Sequence, residues 1–396
     1  MKKIILFASL TLAIELQSYQ AFNKNNELTP IDSPAAINSE EPFLTTGANG
    51  SVYLSWVEKN GDLATLFYSE LVNNKWSAPK KIADGNDWFV NWADHPVLAV
   101  NKSGDMIAHY LQKSDSGTYT YDIKVVAKKS GNTEWSEPVK LHDDNINAEH
   151  GFVSMQPMSD GNFLLSWLDG RNTVSSNHNH GESEMTLRAA ILTNEGKKTQ
   201  EWELDQRVCD CCQTSNGIAG KTPVIVYRDR SKDEVRDMSI VRYVNNQWTQ
   251  PKPVFSDNWK IAGCPVNGPS LGTINNYMAV GWFTNAEEIS KVNVVFSNDS
   301  GETFGKPIRV DEGNALGRVK IKLIDANTAF VSWMEGNNIL GSIVDKNGQI
   351  IRRYSLASSS EDRSSGIPQI ALIDDVIVMA WTDAKSKQVK TGVLNL

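Results

Sequence analysis

A unit that recurs seven times constrains this chain more than any other feature. An apolar run ending on an aromatic residue stands at Val52-Tyr-Leu-Ser-Trp56-Val-Glu58, Met106-Ile-Ala-His-Tyr110, Phe163-Leu-Leu-Ser-Trp167-Leu-Asp169 and Val224-Ile-Val-Tyr227-Arg-Asp229. It returns at Met278-Ala-Val-Gly-Trp282, Phe330-Val-Ser-Trp333-Met-Glu335 and Ile377-Val-Met-Ala-Trp381-Thr-Asp383. The copies follow at intervals of about 48 to 60 residues, the length of a four-stranded blade with its loops. A chain of 396 residues would ordinarily divide into two or three domains, but a closed repeat array is one. No long apolar stripe of helical period stands out. The expected fold is all-β, a β-propeller of seven four-stranded blades, with six as the alternative count.

The clearest single unit runs from Met278 to Val310. Two β-runs, Met278–Thr284 and Val292–Ser297, lead into the turn Ser297-Asn-Asp299-Ser-Gly301-Glu-Thr303-Phe304. Asp299 can accept hydrogen bonds from the turn's own N–H groups, Gly301 supplies positive φ, and Phe304 is an apolar plug. The spacing S-x-D-x-G-x-T-F resembles the Asp-box (BNR repeat) of sialidases and related propellers. Other copies keep only the plug, as Trp76-Ser-Ala-Pro79, Trp135-Ser-Glu-Pro138 and Trp248-Thr-Gln-Pro251.

Residues 1–21 have a basic start and a short apolar stretch, Ile4 to Ile14, and read as an export signal too short to span a membrane. A periplasmic or secreted monomer is expected, with no membrane span. Residues 22–41 form a polar leader. The last repeat has room for only three strands, so a short strand near Leu28–Ile31 is expected to complete it and close the ring. Residues 42–396 are then the propeller. The net charge of −8, without a basic stripe, excludes nucleic acid as a partner.

Numbering each blade's strands from the axis outwards places the first-to-last strand crossovers and the middle hairpin loops on one face. Nearly all unusual residues fall there, on loops that are long and charged in blades 2 to 5, where binding sites are usually built. The carboxylates Asp94, Glu149 and Asp229 are candidate catalytic groups, with Asp169 and Asp237 on the same face. Asp94-His95 and Glu149-His150 each set a carboxylate before an imidazole, suited to acid–base or metal chemistry and equally to satisfying loop backbone. Arg171, Arg228, Arg230, Arg236 and Arg318, with Asn267, are candidate ligand-binding residues, because a guanidinium fork grips carboxylates. Internal Arg–Asp pairing competes with that role. His178-Asn-His180-Gly-Glu182 could hold a metal through alternate imidazoles, or lie solvated.

Over essentially its whole mature length the chain resembles the sialidase-like propeller superfamily. That resemblance implies an arginine triad for a sugar carboxylate, an Asp acid/base and a Tyr–Glu nucleophilic pair. The family's first arginine stands in an F/Y-R-I-P motif; here the position reads Glu41-Pro42-Phe43-Leu44, without arginine. Three functional classes follow. The first is an exported propeller that binds, and with a carboxyl pair hydrolyses, an acidic glycan or other acidic small ligand, needing no cofactor. The second is a non-enzymatic interaction propeller. The third is a Cys/His site for copper or zinc.

The four cysteines lie in two adjacent crossovers, Cys209-Asp-Cys211-Cys212 and Cys264-Pro-Val-Asn267. Export favours oxidation, with Cys264 bonded to one of the trio and Cys209 to Cys211 or Cys212. The rival is a thiolate metal site, for which C-x-C-C departs from the usual zinc spacing but suits a soft ion such as Cu(I).

Overall fold

The computed structural model describes residues 27–174 and 184–396; the expected export signal at 1–21, and His178 and His180, lie outside them. Seven antiparallel sheets follow one another along the chain, each of four strands except blades 1 and 4, where the outer edge is split into two short strands. The innermost strands are Ser39–Thr46, Leu98–Val100, His150–Pro157, Ser215–Ala219, Ser270–Ile274, Ala315–Leu323 and Gln369–Ile373. They surround an axial cavity of about 450 Å³. The ring closes as expected. Thr29–Ile31 pairs antiparallel with Gln388–Asn395, Thr29 opposite Val393 and Ile31 opposite Thr391, completing the blade whose other strands are Gln369–Ile373 and Val376–Asp383.

The second strand of each blade is packed on both faces by its neighbours, which is why it reads as continuous apolar residues rather than alternating ones. Phe163–Asp169 is buried at every position. The repeat's aromatics are core residues, with Trp56, Trp167, Tyr227 and Trp282 fully buried. The acid two residues later has a local task. The indole N–H of Trp56 donates to Glu58 at 2.8 Å, of Trp167 to Asp169 at 2.8 Å and of Trp333 to Glu335 at 2.9 Å. Each satisfies a donor that burial would otherwise leave unpaired.

The outer plugs join neighbouring blades. Trp76 of blade 1 donates its indole N–H to Thr391 of blade 7 at 3.1 Å, Trp135 of blade 2 meets Tyr68 of blade 1 edge-on, and Trp248 of blade 4 meets Trp202 of blade 3. In the turn after Ser297, Asp299 accepts from the Thr303 N–H at 2.9 Å, and the Gly301 N–H donates to Ser297 Oγ at 3.0 Å. Gly301 there has φ +79°. Among the described residues helix is confined to two single 3₁₀ turns, and no helix is long and apolar enough to cross a membrane.

Candidate functional site

On the loop face a pocket of about 290 Å³ opens among blades 2 to 5. Asp94 and Glu149 line it, with Asp210, Cys211 and Cys264 opposite and the aromatic rings of Phe89, Trp92, Tyr119, Tyr121 and Phe152 as walls. Asp94, Glu149, Asp210 and Cys264 come from successive crossovers, and Tyr119 and Tyr121 from the middle hairpin of blade 2, which the propeller's repeat brings to one mouth.

Asp94 is held at the end of a tight turn, Asn91 to Asp94, closed by a 3.2 Å backbone bond. Its Oδ1 accepts the Phe152 N–H at 2.7 Å. Phe152 sits in a bulge of its strand with φ +55°, a conformation a bulky residue rarely adopts, and that bulge turns the N–H toward Asp94. Glu149 is brought alongside by an isolated backbone bridge to Tyr121. The Tyr121 hydroxyl lies between the two acids, 2.9 Å from Glu149 Oε1 and 3.2 Å from Asp94 Oδ2. A phenol has one proton, so a consistent arrangement has neutral Asp94 donating to the Tyr121 oxygen and Tyr121 donating to Glu149.

The electrostatics agree with that order. Burial, opposed by the Phe152 N–H and reinforced by Glu149, pushes Asp94 up to about 8. Burial, partly offset by the Tyr121 hydrogen bond, pushes Glu149 up to about 7. Burial and both acids drive the Tyr121 phenol well above its ordinary value. Near neutral pH this gives a protonated acid beside a carboxyl poised at half-ionisation, the pairing general acid–base chemistry needs.

The remaining sequence candidates are placed elsewhere. Asp229 does not join the pair; it accepts from Ser239 at 3.0 Å, and burial raises it to about 6. His95 turns away from Asp94 to Gln213, 3.1 Å off, and rests against Phe43. His150 turns away from Glu149 and stacks on His142. Arg228 is buried with four hydrogen bonds to the carbonyls of Asn267, Arg236 and Phe283. Arg318 likewise donates to the carbonyls of Gly366, Glu361 and Asp362 and to Ser365 Oγ. Arg171 pairs with Asp169, Arg230 with Glu234, and Arg236 with Glu234 and Asp210. Asn267 spans blades, accepting from the Arg318 N–H at 2.7 Å and donating to Leu316 O. The guanidinium groups expected to clamp an acidic ligand are thus engaged internally, and among the described residues lining the pocket only the exposed Arg363 is a cation.

The two cysteine loops do meet, but as thiols rather than as the expected disulfides. Cys209 and Cys212 sulfurs stand 3.3 Å apart, beyond a bond, and all four cysteines are free. The sulfurs of Cys209, Cys211 and Cys212 lie within 4.8 Å of one another. Arg236 Nη1 lies 3.4 Å from Cys209 Sγ. The reading from residue types missed Tyr121, Asp210 and the aromatic walls. Trp92, two residues before Asp94, was a usable signal; Tyr121 gave none, since it opens an ordinary strand.

A scan against protein-family models and a search of curated proteins found no match. Among solved structures, the polysaccharide lyase Uly1 aligns over 91% of this chain and 91% of its own, at 11% identity and a TM-score of 0.55. The GH93 α-L-arabinofuranosidase of Fusarium graminearum, solved with arabinobiose, covers 76% of this chain and 92% of its own at 11% identity and a TM-score of 0.52. The NanB sialidase of Streptococcus pneumoniae, as its K499G mutant, covers 93% and 70% at 14% identity with a TM-score of 0.47, a likeness too loose to carry weight. At these identities the likeness is one of fold. The chain is a seven-bladed β-propeller, and it shares that general fold with the lyase and the arabinofuranosidase.

Proposed function

We propose that this protein is an exported carbohydrate-binding propeller that cleaves a glycosidic linkage in the aromatic pocket of blades 2 to 5. The observation that carries this is the Asp94–Tyr121–Glu149 relay inside a pocket walled by aromatic rings. Aromatic faces stack on the C–H faces of sugars while polar groups fix orientation, and about 290 Å³ suits one sugar ring. Asp94, neutral at pH 7, is the general acid; Glu149, with Tyr121 against it, is the base or nucleophile. Both acids are within a hydrogen bond of one phenol, so the two carboxyls are held on the same part of the pocket wall. With Arg228, Arg230, Arg236 and Arg318 engaged internally and the Arg363 cation set against Asp210, Asp94 and Glu149 in the wall, the pocket favours a neutral sugar over a carboxylated one.

A panel of aryl glycosides and neutral oligosaccharides, with the Glu149→Gln protein beside the wild type, tests this. Turnover on a neutral substrate that Glu149→Gln abolishes is expected. No binding or turnover across the panel, or turnover unchanged by Glu149→Gln, overturns it.

The clustering of three sulfurs favours a second reading, a soft-metal site at Cys209, Cys211 and Cys212 at the edge of the same pocket. Copper bound stoichiometrically, and lost when these cysteines are serine, would favour it over the glycan reading.

A further inference from the structure

The axis of the ring carries charged groups that neither reading uses. The innermost strand of blade 6, Ala315–Leu323, sends Val319, Ile321 and Leu323 into the core it shares with blade 5. Side chains alternate along a strand, so Lys320 and Lys322 stand on its other side. Both line the axial cavity of about 450 Å³, which shares no lining residue with the aromatic pocket. Two residues of rise set the lysines about 6.6 Å apart along the strand.

The rest of the wall gives them no counter-charge. The other innermost strands present uncharged side chains to the cavity, and several of these are already engaged. Thr46 donates to Leu372 O at 2.9 Å, the Asn216 amide to Ser154 O at 3.0 Å and the Gln369 amide to Ile367 O at 3.0 Å. The Ser270 hydroxyl accepts the Ile321 N–H at 3.0 Å. Asp374 is the one acid among the described lining residues, and it is exposed at the tip of the hairpin that follows Gln369–Ile373. Among the described residues neither lysine Nζ makes a hydrogen bond or an ion pair. Burial and Lys322 push Lys320 down to about 8, burial lowers Lys322, and no carboxylate opposes either shift. The charge of Lys320 also reaches His95, adding to burial in holding that imidazole well below its ordinary value.

We infer that the axial cavity is a binding site for one small dianion, a phosphate group or a dicarboxylate, held between the Lys320 and Lys322 ammonium groups. A buried charge without a partner is costly, and the two like charges in one cavity raise that cost. The uncharged side chains of the other innermost strands show that the ring closes around the axis without cations. An anion of charge two balances the pair, and each ammonium brings three donors to its oxygens as a compact point charge. The cavity volume lies in the range of small-molecule sites. The site stands apart from the proposed cleavage of a neutral sugar and does not depend on it.

Calorimetric titration of the full chain with sodium phosphate, and separately with sodium succinate, tests this in a chloride buffer of fixed ionic strength. One equivalent of at least one of the two anions should bind with a Kd of about 1 mM or tighter. Tighter phosphate identifies a phosphoryl ligand, and tighter succinate a dicarboxylate. The double variant Lys320→Gln, Lys322→Gln should bind at least about tenfold more weakly, as expected for loss of charge-assisted hydrogen bonds. A second measurement needs no variant. With the anion bound, acetylation of Lys320 and Lys322 by acetic anhydride, followed by peptide mass spectrometry, should slow several-fold, while the exposed Lys81 and Lys306 react as before. That labelling decides the matter if the double variant does not fold. Absence of binding by both anions, full affinity in the double variant, or binding that leaves both lysines unprotected overturns the inference.

Discussion

Replacing Asp94 by asparagine changes how the protein's stability depends on pH, and the size of the change follows from the site. Asp94 is buried with a folded value of about 8, while an unfolded Asp titrates near 3.9. The folded value is raised, so the native state holds the proton more tightly. The stability contribution is complete below about pH 4 and is lost as pH rises through 8. Between pH 5 and 7 the native side chain is protonated and the unfolded one is not. The slope is therefore about 1.4 kcal/mol per pH unit, on the order of 3 kcal/mol over the interval. The Asp94→Asn side chain keeps the geometry, because its carbonyl oxygen accepts the Phe152 N–H and its amide donates to Tyr121, yet it does not titrate. Glu149, at about 7, adds to the wild-type decline. Burial holds His95 well below its ordinary value and His109 at about 3, and these act in the opposite sense, so only the difference between the two proteins isolates Asp94. Urea unfolding at pH 5, 6, 7 and 8 measures it. Asp94→Asn should gain on the wild type by on the order of 3 kcal/mol from pH 5 to 7. Parallel curves for the two proteins would refute the protonated-acid assignment on which the mechanism stands.

Glu149→Gln should lower turnover on any cleaved glycoside by about a hundredfold or more while the melting temperature holds, as expected for loss of a proton-transfer group. Arg228→Ala should destabilise the fold by about 3 to 5 kcal/mol, because it uncaps the carbonyls of Asn267, Arg236 and Phe283 in the interior. Loss of ligand affinity at unchanged stability in urea unfolding would instead make that arginine a ligand contact. Trp167→Ala should cost about 3 to 5 kcal/mol in the same assay, since the ring is fully buried and its N–H partner Asp169 also holds Arg171. Removing residues 1–34 unpairs Gln388–Asn395 along one edge, so calorimetry and light scattering should show earlier melting with concentration-dependent aggregation.

The fold was legible because its signal is repetitive. Seven spaced aromatics, a plug after several outer strands and a final repeat one strand short are statements about periodicity, and periodicity survives in sequence. The acid following Trp56, Trp167 and Trp333 was visible in the same way, although its task, accepting the indole N–H, came only from the structure. The face on which the crossover loops gather was also legible, since those of neighbouring blades must share a rim. What failed was the reading of charge. Arg228 and Arg318 stand in loops, as ligand clamps do, yet their side chains fold inward to bond carbonyls that irregular backbone leaves over. No local pattern separates an arginine that meets a ligand from one that repairs a loop. Tyr121 was missed for the converse reason, since its role depends on the partner carboxylates Asp94 and Glu149, distant in sequence.

The two acid–histidine dipeptides show how a propeller rim sorts chemistry. In each, the carboxylate and the imidazole point to opposite sides of one crossover. Asp94 and Glu149 converge on the pocket through Tyr121, whereas His95 goes to Gln213 and His150 to His142. Reading Asp94-His95 or Glu149-His150 as a local acid–base pair therefore joins groups that the backbone separates. The pairing that the structure makes is between equivalent positions of adjacent crossovers, acid with acid. Because Glu149 and His150 are consecutive, whatever fixes the imidazole also fixes the carboxylate. The His142–His150 cluster is thus the element best placed to hold the pocket's second acid against Tyr121, without touching the pocket itself.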